Sequence, residues 1–398
     1  MTSYKNAWIG LCLGLVLGYH GLAWGQNENS TSNPTRNAVE DAAGSFIFVF
    51  DPAQVAASEV PGKARGLVDQ HGGTLRFQFS TALRGFSAAM SAQAAERLAA
   101  RTPELLYYEK NGVVWAIGKP VQPSKKPTDS PGKKKPGGGT TTEPPQTTPA
   151  GITRVGGPLD GTGRNAWVID TGIDPSHPDL NVGSGANFVL RGKDSTKDGN
   201  GHGTHVAGTI AAIDNTIDVV GVAAGATVHP IRVLNNSGSG TVDGVIAGID
   251  FVAANAQPGD CANMSLSASG HFESLHNAVT NAADRGILFS IAAGNNASHA
   301  GNYEPAHVEH NNVYTVSAID DQDVFASFSN FGNPPVDYAA PGVSVLSTQK
   351  GGGVTTLSGT SMAAPHVCGL LVMDGGILFY DGVAIDDPDG SADQIAHH

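Results

Sequence analysis

Three polar side chains in the second half of the chain are of types that could act together on a carbonyl group. Asp170 ends an apolar run, residues 166–169, and a carboxylate there can fix the tautomer and ring orientation of a histidine. His202 begins a predicted helix, and a histidine titrates in the range that suits a general base near neutral pH. Ser361 begins another predicted helix, where its hydroxyl would lie near free backbone N–H groups that favour developing negative charge.

Two further kinds of catalytic site contain some of these residue types, but they fit the sequence less well. Asp170-Thr171-Gly172 also occurs in aspartic proteases, but a retroviral-type site needs two such motifs in a β-rich assembly, and the sequence has one. His202 and His205 lack the i, i+4 spacing and the intervening Glu of a zinc protease. We therefore predict no catalytic metal and a structural role for His205.

The elements that must position these residues alternate between strand and helix. Predicted strands cover residues 166–169, 228–233, 262–266, 288–292 and 313–316, and predicted helices cover residues 202–212, 242–254, 274–285 and 361–373. Alternation of this kind predicts an α/β fold, a parallel sheet with helices on both faces. Sites in such folds lie at the carboxyl ends of the strands, where Asp170 is found.

A smaller α+β domain is predicted ahead of this sheet. Strands at 45–50, 74–79, 84–89 and 112–117, with helices at 61–70 and 92–101, give the ferredoxin-like order β-α-β-β-α-β, and Ser91 is a candidate N-cap. Residues 26–44 are polar and predicted to be disordered. Residues 119–145 are rich in Lys, Pro and Gly and predict a solvated linker, with a membrane or polyanion contact as the alternative.

Residues 1–25 predict a secretory signal peptide. Lys5 precedes an apolar run over residues 7–17, and the small residues Ala23 and Gly25 precede a candidate cut before Gln26. The alternative is a membrane anchor, but the run is short for a bilayer, and no later run is long and apolar enough for a stable membrane span. The expected location is therefore secreted or extracellular. A net charge of −13 argues against a nucleic-acid partner.

Taken together, the three motifs and the stretches between them, from about 146 to 369, resemble the subtilisin-like serine proteases, or subtilases. The order Asp, His, Ser along the chain is the order of that family. The resemblance implies a serine endopeptidase that works through an acyl-enzyme, with Ser361 as nucleophile, His202 as base and Asp170 as its partner. Asn295, in Ala-Ala-Gly-Asn, matches the side chain of the oxyanion hole, with the Ser361 N–H as second donor.

The same resemblance implies how protein or peptide substrates would bind to a monomeric enzyme. Two segments match strands that flank the cleft: Gly238, Ser239 and Gly240 on one side, and Ser265, Leu266 and Ser267 on the other. Asn302 resembles part of the floor of the specificity pocket. A peptide between the two strands would pair through its backbone, so that affinity depends little on its sequence.

A structural Ca²⁺ site and an inhibitory propeptide are also implied. The calcium ligands would be the side chains of Gln146, Asp179 and Asn215 and the carbonyls of Ile213, Ile217 and Val219; an ordinary loop is the alternative. Residues 45–118 resemble a propeptide that assists folding and then lies in the active site as a product-like inhibitor. Residues 146–398 would form the catalytic domain with a short acidic tail, and the first cut of this zymogen would fall near Gly118 or near Gln146.

Cys12 lies in the predicted signal peptide, which leaves Cys261 and Cys368. Cys261 lies roughly 13 Å along a strand from Ser265, and Cys368 roughly 10.5 Å along a helix from Ser361. If the strand and the helix run side by side, the two sulfur atoms reach a similar depth. A disulfide and two buried thiols both remain open.

Two functions from other classes compete with proteolysis. One is a catalytically inactive subtilase-like binding module, against which the intact triad and Asn295 argue. The other is a surface-adhesion protein that uses the lysines of the linker.

Overall fold

The computed structural model describes residues 34–120 and 145–398. The predicted signal peptide and residues 121–144 of the predicted linker lie outside these ranges. In residues 34–120, the N-terminal unit, the helices are α1 (Pro34–Ala42), α2 (Val60–His71) and α3 (Ala92–Arg101). The strands of this unit are β1 (Ser45–Phe50), β2 (Thr74–Phe79), β3 (Gly85–Ala89), β4 (Leu105–Lys110), β5 (Val113–Ala116) and β6 (Lys119–Pro120).

Residues 145–398 form a larger α/β unit. Its helices are α4 (Ala150–Arg154), α5 (His202–Ala211), α6 (Val242–Asn255), α7 (Glu273–Ala283) and α8 (Thr360–Asp374). Its strands are β7 (Leu159–Asp160), β8 (Asn165–Asp170), β9 (Asn181–Val182), β10 (Ala186–Asn187), β11 (Ala223–Ala224), β12 (Thr227–Arg232), β13 (Ser239–Thr241), β14 (Cys261–Met264), β15 (Leu266–Ser269), β16 (Leu288–Ala292), β17 (Tyr303–Glu304), β18 (Val313–Ile319), β19 (Val336–Pro341), β20 (Val345–Thr348), β21 (Val354–Ser358), β22 (Phe379–Val383) and β23 (Gln394–His397).

The sheet of the N-terminal unit is antiparallel, with strand order β2-β3-β1-β4. Its apolar side chains, among them Phe48 and Phe86, form one core with Val68 of α2 and Leu98 of α3. Ser91 caps α3 as expected, because its Oγ accepts a hydrogen bond from the Ala94 N–H at 3.2 Å.

The N-terminal unit corrects two predictions. Its fourth strand is β4, for which no element was predicted, and the predicted strand at 112–117 instead leaves this sheet as β5 to pair with β13 and β15. Helix α1 covers residues that were predicted to be disordered. That helix is anchored because Ala38 and Ala42 are buried and Arg191 pairs with Asp41 at 2.8 Å.

The large sheet confirms the predicted parallel arrangement. Its order is β10-β12-β8-β14-β16-β18-β19-β23-β22, parallel except for the last pair, with β9 also pairing with β12. Alternate residues of β8 enter opposite cores: Ala166 and Val168 pack with α5 and α8, and Trp167 and Ile169 with α6 and α7. Helices therefore cover both faces, and α5 and α8 share one of them.

The C-terminal residues, predicted from the sequence as a short acidic tail, add a strand to the large sheet. β23 pairs in parallel with β19, Ala339 opposite Ile395, and extends the large sheet. Ile395 and Ala396 are fully buried, and the Asp393 carboxylate is buried where it accepts a hydrogen bond from the Ser317 hydroxyl. Two apolar residues in this acidic stretch are thus enough to anchor it to the sheet. Among the described helices, none is long and apolar enough to cross a membrane.

Candidate active site

Asp170 and His202 form a buried pair at the carboxyl end of β8. Both carboxylate oxygens of Asp170 lie 2.9 Å from His202 Nδ1, and Oδ1 also accepts the Thr171 N–H at 2.6 Å. His202 is the first residue of α5, so the helix start determines where its ring lies. The contact with the carboxylate places the proton on Nδ1 and leaves Nε2 as the free acceptor.

Burial and charge act on His202 in opposite directions. Burial lowers the pKa of its imidazole, but the charge and hydrogen bond of Asp170, with the charge of Asp198, outweigh burial and raise the pKa above its ordinary value. Nε2 is buried and has no hydrogen-bond partner among the described residues. The ring is therefore oriented, and its basic nitrogen is available to a group that enters the site.

Ser361 lies in the first turn of α8 and faces the same cleft. Its hydroxyl donates to the Ser265 carbonyl at 3.2 Å, and the Ser265 hydroxyl donates back to the Ser361 carbonyl at 3.0 Å. This reciprocal pair ties the start of α8 to the segment between β14 and β15. The Ser361 hydroxyl is thus held by Ser265 in this structure, with no hydrogen bond to His202 among the described residues.

Asn295 binds the residue that precedes Gly118. Its amide nitrogen donates to the Ile117 carbonyl, while its Oδ1 accepts the N–H and the hydroxyl of Thr360, each at 2.9 Å. A Cβ on Gly359 would lie 2.6 Å from the Ile117 oxygen and 2.8 Å from the Asn295 amide, so this approach requires glycine. The Thr360 contacts orient the amide so that it faces the bound carbonyl.

The two segments predicted to flank the cleft lie on either side of β5 of the N-terminal unit. β5 pairs antiparallel with β13, Gly240 opposite Val114, and with β15, Ser267 opposite Trp115. The Ala116 N–H donates to the Gly238 carbonyl at 2.8 Å. The chain then passes Ile117 and Gly118 and pairs through β6 with β21 on the far side.

The sequence predicted that the N-terminal unit ends near Gly118 in the cleft. The structure describes the chain on to Pro120, and residues 119–120 pair with β21 as β6. Asn302, predicted as part of the pocket floor, is exposed at the end of a short 3-10 helix (Ala300–Asn302), where its N–H donates to the His299 carbonyl at 3.1 Å.

The residues predicted to bind calcium meet around one loop. The Gln146 amide donates to the Ile213 carbonyl at 2.7 Å and to the Val219 carbonyl at 3.1 Å. The buried Asp179 carboxylate accepts the Asn215 amide at 2.7 Å. The remaining predicted ligand is in the same loop, since the Ile217 N–H donates to Asn215 Oδ1 at 2.7 Å.

Cys261, at the start of β14, and Cys368, on α8, lie beneath the active site. The structure joins their sulfur atoms across 107 residues of sequence, with the Cα atoms 5.8 Å apart. Both side chains are fully buried. Of the two alternatives left open by the sequence, the structure has the bonded pair.

Sequence analysis missed a buried carboxylate that holds the segment before His202. Asp198 accepts the Thr171 hydroxyl at 2.9 Å and the Thr204 hydroxyl at 2.7 Å. The Thr171 hydroxyl in turn accepts the Gly203 N–H at 2.9 Å, which links β8 to α5. The run Asp-Gly-Asn-Gly directly before His202 was the available signal, because Asp and Asn commonly accept backbone N–H groups in such turns.

Two acidic residues that the sequence did not indicate connect the N-terminal unit to the larger α/β unit. Asp250 on α6 accepts backbone N–H groups of the N-terminal unit, including those of Thr81 and Ala82 at 2.7 Å each. Glu109 on β4 accepts the first N–H groups of α7, those of Glu273 at 3.1 Å and Ser274 at 3.0 Å. The carboxylate of Glu109 is favourably placed, because it lies at the N-terminus of α7. Together, the Asp250 and Glu109 contacts hold the N-terminal unit against α6 and α7.

Comparison with known proteins places this geometry in a family. The model of the subtilase family matches residues 167–373, which include Asp170, His202, Asn295 and Ser361. Subtilisin Savinase of Lederbergia lenta is 44% identical over 230 residues, 56% of this chain and 82% of that protein. M-protease of Shouchella clausii is 43% identical over 234 residues, 57% of this chain and 60% of that protein.

A longer match includes the N-terminal unit. Subtilisin NAT of Bacillus subtilis subsp. natto is 31% identical over 372 residues, 92% of this chain and 87% of that protein. The crystal structure of a cold adapted subtilisin-like serine proteinase matches with a TM-score of 0.56 and 36% identity over 62% of this chain and 97% of that one. The chain therefore belongs to the subtilase family and is a subtilisin-like serine endopeptidase.

Proposed function

We propose that Asp170, His202 and Ser361 are the catalytic triad and that the chain is a precursor that cuts itself between Ile117 and Gly118. The observation that carries this proposal is the path of the chain through the cleft. The Ile117 carbonyl accepts the Asn295 amide, and a Cβ on Gly118 would lie only 3.0 Å from His202 Nε2. The peptide bond between these two residues thus lies beside the proposed nucleophile and base.

The reaction follows from the positions of these groups. The Ser361 hydroxyl leaves Ser265, gives its proton to His202 Nε2 and attacks the Ile117 carbonyl carbon. The resulting oxyanion is stabilised by the Asn295 amide and the Ser361 N–H, which lie in a buried, preorganised site. His202 then gives the proton to the Gly118 nitrogen as the C–N bond breaks, and water, deprotonated by His202, releases Ile117 from the ester.

After this cut, residues 45–117 would remain docked as an inhibitor until they are released, and the mature enzyme would hydrolyse other proteins in the same cleft. Strands β13 and β15 bind a peptide through its backbone, so a range of sequences fits, as expected for a protease of broad specificity. The predicted signal peptide supports secretion, which Edman sequencing of protein recovered from the culture medium would test.

A fluorophosphonate probe tests the triad directly. The mature enzyme should gain one covalent adduct on Ser361, whereas a His202→Ala variant should react at least about 10³-fold more slowly, because the hydroxyl loses its base. A matched His205→Gln variant, whose side chain contacts the Val345 carbonyl and not Asp170, should still react. Stoichiometric labelling of a residue other than Ser361 would contradict the assignment.

We also propose that Gln146, Asp179, Asn215 and the nearby loop carbonyls hold a structural Ca²⁺ ion. The fit is chemical: a buried carboxylate, two amide side chains and backbone carbonyls make an all-oxygen ligand set once the amides present oxygen instead of nitrogen. Bound Ca²⁺ would tie the segment at Gln146 to the loop after α5. Removal with EGTA should lower the melting temperature, and an Asn215→Ala variant should lose most of that calcium dependence.

The Cys261–Cys368 bond is likewise proposed for the secreted enzyme. It would close a loop of more than one hundred residues between β14 and α8. Alkylation before and after reduction, read by mass, should show two thiols only after reduction. Loss of the bond should cost about 2–5 kcal/mol of stability.

A further inference from the structure

A group of titratable side chains lies outside the proposed triad, around Glu304 on β17. The Glu304 side chain is only 1% exposed, and its Oε1 lies 2.8 Å from His271 Nδ1, 3.1 Å from His307 Nδ1 and 3.7 Å from His276 Nδ1. Every ion-pair partner of Glu304 within residues 34–120 and 145–398 is a histidine. We call these four residues the His3Glu cluster.

The spacing of the four ligand atoms matches a metal site. One nitrogen from each histidine and one carboxylate oxygen all lie within 4.8 Å of one another. A tetrahedral ion with bonds of about 2.0–2.1 Å needs ligand atoms about 3.3 Å apart, and the three distances to Glu304 fall on either side of that value. A small adjustment of the side chains would therefore give a regular site.

Two polar atoms of the cluster are buried without a hydrogen bond. Glu304 Oε2 and His276 Nδ1 are buried, and neither has a hydrogen-bond partner in the described part of the chain. A buried carboxylate oxygen and a buried imidazole nitrogen without partners are costly, and a cation held by Glu304 and His276 would offset part of that cost.

A neighbouring carboxylate supports one ring as a metal ligand. His271 Nε2 lies 3.1 Å from Glu273 Oε2, on the side of the ring opposite Nδ1. A carboxylate that accepts the N–H of a ligating histidine fixes its tautomer and strengthens it as a ligand. With Nε2–H given to Glu273, the Nδ1 of His271, which now lies 2.8 Å from Glu304 Oε1, is the atom that would bind a metal.

We propose that the His3Glu cluster binds one Zn²⁺ ion in a closed, structural site. Three imidazoles and one carboxylate form a ligand set of the kind that suits zinc among the divalent cations of secreted proteins. The ion would join three segments: His271 follows β15, His276 lies on α7, and Glu304 and His307 lie on or just after β17. β15 also pairs with β5, so zinc would stabilise one wall of the cleft.

Cobalt binding to the full chain tests the site without relying on activity. A Ser361→Ala chain, which stays intact, is stripped with 1,10-phenanthroline in a calcium-containing buffer and titrated with Co²⁺. We expect one Co²⁺ per chain with the intense visible absorption of a tetrahedral complex, displaced by one equivalent of Zn²⁺. His307→Ala should weaken Co²⁺ binding at least about 100-fold, and Glu273→Gln about 10–100-fold.

The matched control is His310→Ala. His310 is three residues from His307 but pairs with Asp284 at 3.1 Å, so its loss should leave Co²⁺ binding unchanged. Near-UV circular dichroism establishes that each variant is folded, and the side chain of His307 is 41% exposed, so its replacement should disturb packing little. Substoichiometric Co²⁺ binding by the parent, or equal binding by the parent and the folded His307→Ala chain, would overturn the proposal.

Discussion

Asn295 makes hydrogen bonds at both ends of its amide group. Its nitrogen donates to the Ile117 carbonyl, and its oxygen accepts two hydrogen bonds from Thr360 that fix the orientation of the amide. The nitrogen lies where the negative charge of the tetrahedral intermediate would develop. Its hydrogen bond should therefore be worth more in the transition state than in the bound substrate.

An Asn295→Leu variant, which keeps the volume but removes the donor, should lose about 10²–10³-fold in kcat with little change in KM. Steady-state kinetics on a small peptide ester or amide measure both parameters. The exposed neighbour Asn296, replaced by Ala, is the control and should leave both unchanged. A rise in KM at constant kcat would instead assign Asn295 to ground-state binding.

His202 should control the acid limb of the pH profile. The base must be neutral to accept the Ser361 proton, so kcat/KM should fall as pH drops through the pKa of His202. Because Asp170 and Asp198 outweigh burial and raise that pKa, the limb should lie at a higher pH than the ordinary histidine pKa would give. The measurement is kcat/KM against pH for the mature enzyme.

An Asp170→Asn variant should shift this limb to lower pH, because burial, which lowers the pKa of His202, then acts with one fewer opposing charge. The rate should also drop by about 10⁴-fold, since the amide favours the wrong tautomer. Asp160→Asn, which removes an exposed carboxylate on β7, should leave the limb where it is. An acid limb at the same pH in the Asp170→Asn variant would contradict the proposed pairing of Asp170 with His202.

At the scale of elements, the N-terminal unit is held on α6 by a buried ion pair. Arg76 of β2 lies 2.9 Å from Asp243 at the start of α6, with the two side chains only 6% and 0% exposed. The unit also shares its apolar core with α6, through residues such as Phe79 and Val49. Breaking the ion pair would leave the Asp243 charge buried without its cation while the unit is docked.

An Arg76→Met precursor should therefore cut itself normally but release its N-terminal unit at least about 10²-fold faster. The lag between the appearance of the cleaved band and the rise of activity on peptide measures this release. Arg97→Met is the matched control, because Arg97 is an exposed residue of α3. Equal lags in the two variants would show that the ion pair contributes nothing to docking.

Much of the element pattern could be predicted because local signals and tertiary packing agree. The five predicted strands of the large sheet and its four predicted helices are present, since apolar runs and turn residues mark each one. β4 was missed because its side chains are half-buried on both faces and show no alternation. β23 was missed because only tertiary packing of Ile395 makes that acidic segment a strand.

The sequence indicated site residues only where they lie in a local motif. Asp170, His202, Asn295 and Ser361 each lie in a short motif, so the sequence indicated them. The His3Glu cluster combines residues from α7, from the loop after β15 and from β17 with the turn that follows it, and no periodic pattern joins them in the sequence. Its chemistry becomes visible only when β17 pairs with β15 and brings Glu304 between the rings.

At the scale of the whole molecule, two buried histidines should limit stability in acid. Burial lowers the pKa of His205 to about 3 and that of His366 to about 4. Both helices that carry them pack in the same core beneath the active site. The folded state therefore holds these rings neutral at pH values where the unfolded chain binds protons.

Because the unfolded chain binds these protons and the folded chain does not, acid should destabilise the folded state. Stability should be complete above the ordinary histidine pKa and fall as pH drops from there towards about 4, by up to about 1.4 kcal/mol per pH unit for each ring. Urea unfolding of the Ser361→Ala chain between about pH 7 and about pH 5 measures the slope. A His366→Gln variant should show a shallower slope, and an unchanged slope would contradict this origin of acid sensitivity.

The intact mass and N-terminal sequence of the protein beside its Ser361→Ala variant test the proposed self-cleavage most directly. We expect a first cut between Ile117 and Gly118 in the parent, giving a product that begins at Gly118, and an uncut variant. A parent that stays whole, or the same cut in both proteins, would contradict the claim that Ser361 cleaves the chain lying across it.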